Sequence, residues 1–485
     1  MISALLLTAS LTLAADESPP DGQRMNVLFI AVDDLKPTLG CYGDAAAVTP
    51  NIDALAAAGT AFTSAYCQQA VCNPSRASLM TGLRPDTMKV YDLQTNFRDT
   101  APSAVTIGEH LIKEGFHSQG YGKIFHAGHG LSDDTRTWSE KGRNLWTTRY
   151  GPETQQRIDA ANKAKRRANG GRLGTNNRVR GPAYEAPVIA DEKLQDGEVA
   201  VLVGDLIRKH AAAAKSGEQP FFLAAGFKNP HLPFVAPKRY WDLHDPAKFD
   251  VPEAATAPPA VPEDAPSYAK TGWGELRAYE GMPGKGPVTA EQARTLTHGY
   301  YAATSYIDAQ VGKLLKVLDE EGLRESTVVV LWGDHGWHLG DHGFWCKHTN
   351  YEQATRVPLI VSAPGQKVRG ETCEALVEFV DVFPTLTDLC GVATPEGLAG
   401  QSLRPLLDDP TLEGDPASFH LYPRGGRMGR AVRTKTHRLV RWTARRGGAV
   451  DAVELYDLAS DPGETRNVAE GNEALVDELW ALWPE

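Results

Sequence analysis

The sequence predicts an α/β fold built on a large, mostly parallel sheet that is flanked by helices. Four short, nearly continuous apolar runs contain many branched and aromatic side chains, a pattern typical of strands buried on both faces of a parallel sheet. These runs cover residues 25–32, 221–225, 327–332 and 357–362. Helical patterns lie between the runs, and this alternation of strands with helices places helices on both faces of the sheet.

Two helices between the strands have clear boundaries in the sequence. Thr49 and Pro50 begin the first helix, because proline is favoured in the first helical turn, and Gly59 ends it. The second helix covers residues 305–321, where apolar side chains recur at helical spacing and Gly322 provides the end. Both helices fit the predicted α/β alternation.

The remaining segments form two surface excursions and a C-terminal part. Residues 143–183 are polar, basic and rich in Gly and Asn, which predicts an exposed insertion, and residues 246–287 form a second excursion rich in Pro and Gly. Further along, an alternating pattern predicts a small antiparallel sheet, followed by a helix from about Glu473. We therefore predict a large N-terminal domain over residues 25–405 and a C-terminal subdomain over residues 406–485.

Composition restricts the function and the location of the chain. Its 485 residues are 42% hydrophobic and carry a formal net charge of −11, so the basic excess expected of a non-specific nucleic-acid binder is absent. Residues 1–15 are largely apolar and end in small residues, which resembles a signal peptide. A membrane span needs about 20 apolar residues and no segment qualifies, so we predict export, either to the periplasm or out of the cell.

Six cysteines raise the question of disulfides. An exported chain permits disulfides, and pairing is the ordinary expectation for each cysteine. No spacing among them matches a zinc site. The local sequence around Cys72 sets it apart, and five cysteines cannot all be paired. The six are Cys41, Cys67, Cys72, Cys346, Cys373 and Cys390.

Side chains capable of chemistry follow several predicted strands, including a weaker run near Gly120. In open α/β sheets, ligands bind beyond the carboxyl ends of the strands. These side chains are therefore predicted to meet at one edge of the sheet, although they lie far apart in sequence. In chain order they are Asp33, Asp34, Lys123, His126, His231, Asp334 and His335.

The acidic strand ends have two interpretations. Taken alone, Asp33-Asp34 is typical of a turn or a helix cap, and Asp334-His335 of a surface turn. Taken together, they indicate a site for a hard cation, since calcium takes 6–8 oxygen ligands. A zinc site made of His335, His338 and His342 is a weaker alternative, because their spacing matches no standard zinc pattern.

The segment Cys72-Asn73-Pro74-Ser75-Arg76 indicates an anion site. A cysteine directly before a proline-started helical turn lies where backbone N–H groups and the helix dipole favour an anion. Arg76 adds a permanent positive charge with a fork that matches an oxyanion. The alternative is a buried cysteine that merely begins a helix.

This segment, C-N-P-S-R followed by S-L-M-T-G at 78–82, resembles the signature of the sulfatase family, in which the cysteine is oxidised enzymatically to formylglycine. The resemblance covers nearly the whole mature chain, through the Asp-Asp strand end, T-P-N-I-D-x-L-A, G-K-I-F-H, P-H-L-P-F, G-D-H-G-x-x-L-G-D-H-G and E-L-Y-D-L-x-x-D-P-G-E-T. G-K-I-F-H, L-G-D-H-G-F-W-x-K and L-Y-P-R are most similar to the iduronate-2-sulfatase branch. The family implies an alkaline-phosphatase-like architecture and sulfate-ester hydrolysis.

The resemblance also implies a metal and a modified residue. One calcium ion would be held by Asp33, Asp34, Asp334 and His335, together with Cys72 after its oxidation to formylglycine. Calcium prefers oxygen ligands, so His335 is the least expected ligand on physical grounds. Several sulfatases have Asn at this position, whereas the iduronate-type branch is similar to this chain in having His. A formylglycine-generating maturation enzyme is an implied partner.

A role for each remaining site residue follows from the same resemblance. Hydrated formylglycine is a geminal diol, and one hydroxyl, polarised by calcium and Arg76, would attack sulfur to give a covalent sulfate intermediate. Lys123 and Lys347 would neutralise the sulfate oxygens. His231 would protonate the leaving oxygen. His126 would take the proton of the second hydroxyl, which expels sulfate and restores the aldehyde.

The substrate is less well defined than the reaction. Relatives often have Lys directly before the Pro-His pair, whereas this chain has Asn229 preceded by Lys228, which puts that substrate contact in doubt. The resemblance implies a sulfated carbohydrate, with a 2-O-sulfated uronic acid as the candidate. Its carboxylate could be held by residues of the late alternating segment together with two tryptophans, although such alternation usually marks a solvated face. They are Arg424, Arg427, Arg430, Arg433, Lys435 and Arg438, with Trp337 and Trp345.

Two other functions compete with the sulfatase hypothesis. A phosphatase or phosphodiesterase of the wider alkaline-phosphatase-like group shares the architecture, but such enzymes generally use Ser or Thr as nucleophile and two metal ions. Cys72 and a single set of ligands disfavour this alternative. A non-catalytic protein that binds sulfated glycans is disfavoured because every catalytic position is intact.

Overall fold

The computed structural model describes residues 24–143, 145–172, 174 and 178–484, so the predicted signal peptide at 1–15 lies outside the described residues. The strands are β1 (Asn26–Val32), β2 (Thr60–Tyr66), β3 (His117–Gly122), β4 (Tyr184–Glu185), β5 (Phe221–Phe227), β6 (Phe234–Val235), β7 (Thr327–Gly333), β8 (Arg356–Ser362), β9 (Glu371–Glu378), β10 (Ser418–Arg424), β11 (Arg427–Arg433), β12 (His437–Ala444) and β13 (Val450–Asp457). The helices are α1 (Pro50–Ala57), α2 (Cys72–Thr81), α3 (Pro85–Met88), α4 (Phe97–Thr100), α5 (Ile107–Lys113), α6 (Pro152–Ala168), α7 (Gln195–Lys215), α8 (Lys238–Trp241), α9 (Gly274–Arg277), α10 (Ala290–Glu320), α11 (Glu352–Thr355), α12 (Val382–Leu389), α13 (Arg404–Asp408) and α14 (Glu473–Trp480).

The main sheet has seven strands in the order β3-β5-β1-β7-β8-β2-β9. β3, β5, β1 and β7 pair in parallel, which confirms the mostly parallel prediction. The predicted run at 357–362 is β8, but it lies antiparallel to both of its neighbours. Burial on both faces gives the same apolar pattern whichever way a strand points, so the sequence did not reveal its direction.

Helices cover both faces of this sheet, as predicted. Val27, Phe29 and Ala31 of β1 pack into one apolar cluster, with side chains of α2, α5 and α12. Leu28 and Ile30 point the other way, into a second cluster with α1, α7 and α10. Because successive side chains of a strand alternate between faces, the continuous apolar run of β1 supplies both clusters.

The helix predicted over residues 305–321 is longer than its periodic pattern indicates. It is the C-terminal half of α10, which begins fifteen residues earlier at Ala290. Thr289 and Gln292 form a capping box there, in which each side chain accepts a backbone N–H of the other residue. The predicted first helix agrees with α1, which begins at Pro50.

Most of the described residues between 143 and 183 are exposed, as predicted, although the segment also contains regular structure. This segment contains the 17-residue helix α6, and it buries Tyr150 and Ile158 against the second apolar cluster. The excursion at 246–287 likewise contains α9 and buries Trp273. A few well-placed apolar side chains anchor these polar segments, and the average composition of each segment concealed them.

The C-terminal prediction of an antiparallel sheet and a helix is confirmed. β10, β11, β12 and β13 pair in that order, all antiparallel, and α14 begins at Glu473. Arg438 of β12 is fully buried and forms ion pairs with Glu352 and Glu464. The buried charges thus join this sheet to the segment that follows β7.

All six cysteines are free thiols, so the disulfides that an exported chain would permit are not formed. Among the residues that the structure describes, no helix has both the length and the apolarity needed to cross a bilayer.

Candidate active site

The side chains predicted at strand ends meet at the carboxyl edge of the main sheet. Asp33 directly follows β1, Asp334 follows β7 and Lys123 follows β3. Backbone hydrogen bonds continue one residue beyond the strands, with the Asp33 N–H donating to the Phe227 carbonyl at 3.1 Å and the Asp334 N–H donating to the Val32 carbonyl at 3.1 Å. The rigid sheet therefore fixes the backbone from which both carboxylates project.

Cys72 begins α2 and points at this edge. Its side chain is 3% exposed, and its sulfur lies 3.3 Å from Nε2 of His335 and 3.5 Å from Oδ1 of Asp33. Burial raises the pKa of the Cys72 thiol well above its ordinary value, and Asp33 adds to this shift while Lys123 opposes it. The unmodified side chain is thus a neutral thiol and a poor nucleophile.

Arg76 lies one helical turn after Cys72 and is completely buried. Its Nε donates to Oδ2 of Asp334 at 2.8 Å, and a terminal nitrogen donates to Oδ1 of Asp33 at 3.2 Å. The other terminal nitrogen donates to the backbone carbonyls of Lys123 and Ile124. Arg76 therefore joins α2 to the ends of three strands.

Three carboxylates, a histidine and Cys72 form a compact group of potential metal ligands. Ligand atoms of Asp33, Cys72, Asp334 and His335 all lie within 4.8 Å of one another. Nε2 of His335 is also 3.4 Å from Oδ1 of Asp34, and its Nδ1 donates to the Gly336 carbonyl at 3.1 Å, which leaves Nε2 free to bind a cation. This donor set fits a divalent metal ion.

The carboxylates experience opposite electrostatic environments. Burial would raise the pKa of Asp33, but nearby cations, Lys123 foremost, hold it well below its ordinary value. Burial raises the pKa of Asp34 well above the ordinary value, and Asp33 and Asp334 reinforce the shift although Lys347 opposes it. The protein alone thus leaves Asp34 short of positive charge, and a bound cation would relieve this deficit.

Two lysines face the carboxylates from the cavity side. Lys123 forms an ion pair with Asp33, and Nζ of Lys347 lies 2.8 Å from both carboxylate oxygens of Asp34. Burial would lower both pKa values, but the neighbouring carboxylates, Asp33 for Lys123 and Asp34 for Lys347, raise them above the ordinary value. Both lysines are therefore cationic and available to an incoming anion.

The two histidines differ in their surroundings. Nε2 of His231 is 3.4 Å from Oε1 of Glu275 and 3.9 Å from Oδ2 of Asp34, and its Nδ1 donates to the Leu232 carbonyl at 2.7 Å. His126 instead contacts His129, with 3.2 Å between Nε2 and Nδ1. Burial, aided by Lys347 for His231 and by Lys123 for His126, lowers both pKa values, for His126 to about 3.

A cavity of about 500 Å³ opens onto these groups. Cys72, Lys123, His126, His231 and Lys347 line it, so all five are reachable from one volume large enough for a small ligand. The sequence did not predict several other lining residues, which come from the two surface excursions and from loops. They are Arg149, Arg178, Arg180, Glu275, Tyr279 and His348, and the cavity also holds Lys228, which the sequence analysis singled out as a departure from the relatives.

A comparison with known proteins identifies the family. A family model described as "Sulfatase" matches residues 25–392, which is most of the chain. The chain belongs to the sulfatase family. It is therefore an enzyme that hydrolyses sulfate esters. A second family model, described as "N-sulphoglucosamine sulphohydrolase, C-terminal", matches residues 340–481 of this sulfatase and so covers the C-terminal sheet.

Individual relatives agree with the family. Iduronate 2-sulfatase from Homo sapiens is 32% identical to this sulfatase over 529 residues, covering 92% of this chain and 91% of the relative. Phosphonate monoester hydrolase from Silicibacter pomeroyi superposes with a TM-score of 0.70 at 24% identity, covering 95% and 94%. A structure described as a 2-O GAG sulfatase has a TM-score of 0.64 at 21% identity, covering 94% and 92%. The two structural similarities bear on the fold alone.

The predicted sugar contacts of Trp337 and Trp345 are wrong. Both side chains are 1% exposed and belong to an apolar cluster away from solvent. Trp337 instead lies beneath Lys347, with 5.0 Å between Nζ and the ring centre, and Nε1 of Trp345 donates to the Ala255 carbonyl at 3.1 Å. Neither tryptophan is therefore placed to contact a sugar in the cavity.

The basic residues of the C-terminal sheet contact other groups of the protein and not the cavity. Arg427 pairs with Asp451, Arg430 with Asp86, Arg433 and Arg438 with Glu352, and Lys435 approaches Glu413, while Arg424 donates to the His348 carbonyl. None of them lines the cavity described above.

The zinc alternative also lacks support, because the three histidines face different neighbours. His338 shares a hydrogen bond with Thr349 and His342 packs on Tyr351, whereas His335 faces Cys72.

One glycine determines how closely Lys123 can approach β5. The Lys123 N–H donates to the Gly226 carbonyl at 2.7 Å, and a Cβ on Gly226 would lie 2.3 Å from the carbonyl carbon of Lys123. We expect Gly226→Ala to lower the free energy of unfolding by about 1–3 kcal/mol through overpacking. Urea unfolding measures this change, and kcat on an aryl sulfate should fall because Lys123 is displaced.

Gly204 in α7 provides the matched control. A Cβ there would lie 3.5 Å from Val317, an ordinary contact, so Gly204→Ala should stabilise the helix by about 0.5–1 kcal/mol. If Gly226→Ala raised the urea midpoint as Gly204→Ala is expected to do, the close contact between Gly226 and Lys123 would not require a glycine.

Proposed function

We propose that this sulfatase removes sulfate from a sulfated carbohydrate, namely a 2-O-sulfated uronic acid, with Cys72 oxidised to formylglycine beside one calcium ion. The observation that carries the proposal is the position of Cys72. Its sulfur lies between His335 and Asp33, at the start of a helix and in a cavity that Lys123 and Lys347 also line. No thiol chemistry explains that placement, because the thiol is neutral and buried.

Oxidation of Cys72 would convert this unreactive position into a nucleophile. Hydrated formylglycine supplies two hydroxyls on one carbon, so that one can attack sulfur and the other can drive the release of sulfate. The helix N-terminus and Arg76 favour negative charge at this point, and Asp33 lies close enough to accept a hydrogen bond. A formylglycine-generating enzyme is then a required partner of the chain.

Calcium accounts for the accumulation of carboxylates. Asp33, Asp34 and Asp334 offer the oxygen ligands that calcium prefers, and His335 adds a nitrogen at the same point. The bound ion would supply positive charge against the oxygen that attacks sulfur. This arrangement is also consistent with the raised pKa of Asp34, which burial and the neighbouring carboxylates cause in the protein alone.

The remaining side chains divide the proton and charge transfers among them. Lys123 and Lys347 hold the sulfate oxygens, and the loss of charge on them would raise the barrier. His231 donates a proton to the leaving oxygen from Nε2, since its Nδ1 is bound to the Leu232 carbonyl. Its pKa is well below the ordinary value through burial and Lys347, but the carboxylate of Glu275 and the bound anionic ester both favour the protonated form. His126 serves as the base for sulfate release.

The sugar assignment rests on similarity together with the size of the cavity. The relative at 32% identity is named iduronate 2-sulfatase, and its match spans nearly the whole of both chains. A cavity of about 500 Å³ accommodates one sugar ring with its sulfate. Export to the periplasm or out of the cell, where such polysaccharides occur, agrees with the predicted signal peptide.

The first test concerns Cys72 itself. We expect Cys72→Ser to abolish turnover of 4-nitrophenyl sulfate while leaving the melting temperature nearly unchanged, because a serine cannot become the aldehyde. Mass spectrometry of the peptide across Cys72 should show formylglycine in the wild-type protein only. Cys41→Ser is the control, since Cys41 lies beside Asp53 outside the cavity. Retained activity in Cys72→Ser, or faster hydrolysis of 4-nitrophenyl phosphate than of the sulfate, would contradict the proposal.

The second test separates the acid role of His231 from general damage. His231→Ala should lower kcat/KM for a sugar sulfate by about 10²–10⁴-fold, and much less for 4-nitrophenyl sulfate, whose leaving group needs no proton. His437→Ala on β12 is the control because that side chain does not line the cavity. Equal losses on the two substrates would remove the acid role.

The third test concerns the metal. Treatment with EDTA should lower the activity, and calcium should restore it and raise the melting temperature, by an amount corresponding to about 2.7 kcal/mol at a concentration of 100 Kd. Asp34→Asn should remove the calcium-dependent shift in melting temperature, whereas Asp205→Asn on the exposed face of α7 should preserve it. An unchanged shift in Asp34→Asn would place the ion elsewhere.

A further inference from the structure

The cavity carries far more positive than negative charge. Its lining includes six lysine and arginine side chains but only the carboxylates of Asp33 and Glu275. Two of the cations, Lys123 and Lys347, already contact carboxylates and lie on the side of Cys72. The other four form what we call the basic rim: Arg149, Arg178, Arg180 and Lys228.

The basic rim has no carboxylate partner among residues 24–143, 145–172, 174 and 178–484. Arg149 donates to the Leu232 carbonyl, and Nζ of Lys228 donates to Oε1 of Gln195 at 2.9 Å. Arg180 lies over the ring of Tyr279 at 5.1 Å, with a long hydrogen bond of 3.5 Å to the Glu275 carbonyl. Arg149, Arg180 and Lys228 are thus held in place by neutral groups and form no ion pair, although the buried carboxylate of Asp196 acts on Lys228 from a greater distance.

These cations gather around His231 rather than around Cys72. Arg149 is bound to the carbonyl of the residue after His231, and Lys228 precedes His231 by three residues. Arg180 contacts the backbone of Glu275, whose carboxylate faces Nε2 of His231. If His231 protonates the leaving oxygen, as proposed above, the basic rim lies on the side of the sugar and not on that of the scissile sulfate.

Burial and a neighbouring like charge both act on Lys228. Burial, and next the neighbouring Arg149, lower the pKa of Lys228 to about 8. Partly buried cations without a counter-charge are unfavourable, and an anion between them would offset that cost. Arginine forks suit the planar or tetrahedral oxygens of an acid group, which a neutral sugar does not have.

We propose that the basic rim is a specificity subsite for a second anionic group, a carboxylate or a sulfate, on the sugar that bears the scissile sulfate. The inference rests on the proposed function, because the position of the rim is defined relative to His231. The proposal places the recognition of a sugar acid in the insertion around α6 and the loop after β5. The C-terminal sheet, which the sequence suggested for this role, has arginines that form ion pairs within the protein.

A neighbouring cavity does not provide an equivalent site. It shares His126 with the first cavity and has a volume of about 330 Å³. Its arginines, Arg98 and Arg136, already contact Glu109, and Arg98 also pairs with Asp134. The positive charge there is compensated, so of these two cavities it is the one with the basic rim that offers charge to a second anion.

The experiment compares substrates that differ only in the second anion. With the matured wild-type enzyme, kcat/KM is measured for a disaccharide ending in 2-O-sulfated iduronate and for its methyl ester, which lacks the carboxylate charge. A second arm compares glucosamine bearing two sulfates with glucosamine bearing one. 4-Nitrophenyl sulfate reports on the reaction without a second anion. We expect removal of the second anion to lower kcat/KM by about 10- to 100-fold in one arm, mainly through KM.

Variants of the rim identify the groups responsible. For each of Arg180→Gln and Lys228→Gln, kcat/KM for the doubly charged substrate is divided by kcat/KM for 4-nitrophenyl sulfate. This ratio should be lower than in the wild-type enzyme by about 10-fold or more. Loss of the side chain and loss of the substrate anion should not be additive, since both remove the same contact. Arg167→Gln, at the exposed end of α6, is the matched control and should leave every value unchanged.

The outcomes separate this inference from the proposed function. If the wild-type enzyme hydrolyses 4-nitrophenyl sulfate but shows no preference in either arm, the subsite is wrong and the sulfatase mechanism stands. A rim variant that lowers kcat/KM equally for all substrates would also overturn the subsite, because that result describes general damage. If formylglycine is present and no sulfate ester is hydrolysed, the proposed function fails and the subsite fails with it.

Discussion

The buried charge network around Arg76 is the constraint on which the rest of the site depends. Its guanidinium contacts the carboxylates of Asp33 and Asp334 with no exposure to solvent, and its remaining donors bind the backbone after β3. Removing several charges from water is costly, and only close pairing with satisfied hydrogen bonds offsets it. Arg76 therefore determines how α2, and Cys72 at its first residue, can lie against the sheet edge.

Charge is distributed in a definite order through the cavity. At the sheet edge, Asp34 is left with a raised pKa through burial and its acidic neighbours, which favours a cation there. One layer outward, Lys123 and Lys347 are kept protonated by those same carboxylates. Beyond them, the side chains of the basic rim form no ion pair with the described residues. Such a gradient favours the approach of an anionic ester, and it agrees with the proposal that the sulfate is bound beside Cys72.

The parts of the site that the sequence revealed are those tied to regular structure. Asp33 and Asp334 could be predicted to meet because each follows an apolar run, and the ends of parallel strands share one edge. β2 and β9 were missed because Thr, Ser and Glu interrupt their apolar pattern. The burial of Trp337 and Trp345 depends on loops that fold back over them, and no local pattern records a contact between distant segments. Glu275 was missed for the same reason, since it lies in a Pro-rich excursion.

The residues that the sequence revealed and those that it missed also differ in the roles proposed for them. The groups proposed for the reaction stand on strand ends and on α2, where the sheet fixes their backbone, and the same architecture occurs in a phosphonate monoester hydrolase with a TM-score of 0.70. The groups proposed for selectivity, Arg149, Arg180 and Lys228, stand on the insertion and on the loop after β5. Loops accept substitutions that a packed sheet edge does not, so the ligand that one fold accepts can change with its loops. On the proposed assignment, the residues that select the substrate therefore lie in the least regular segments, which the family signature does not include.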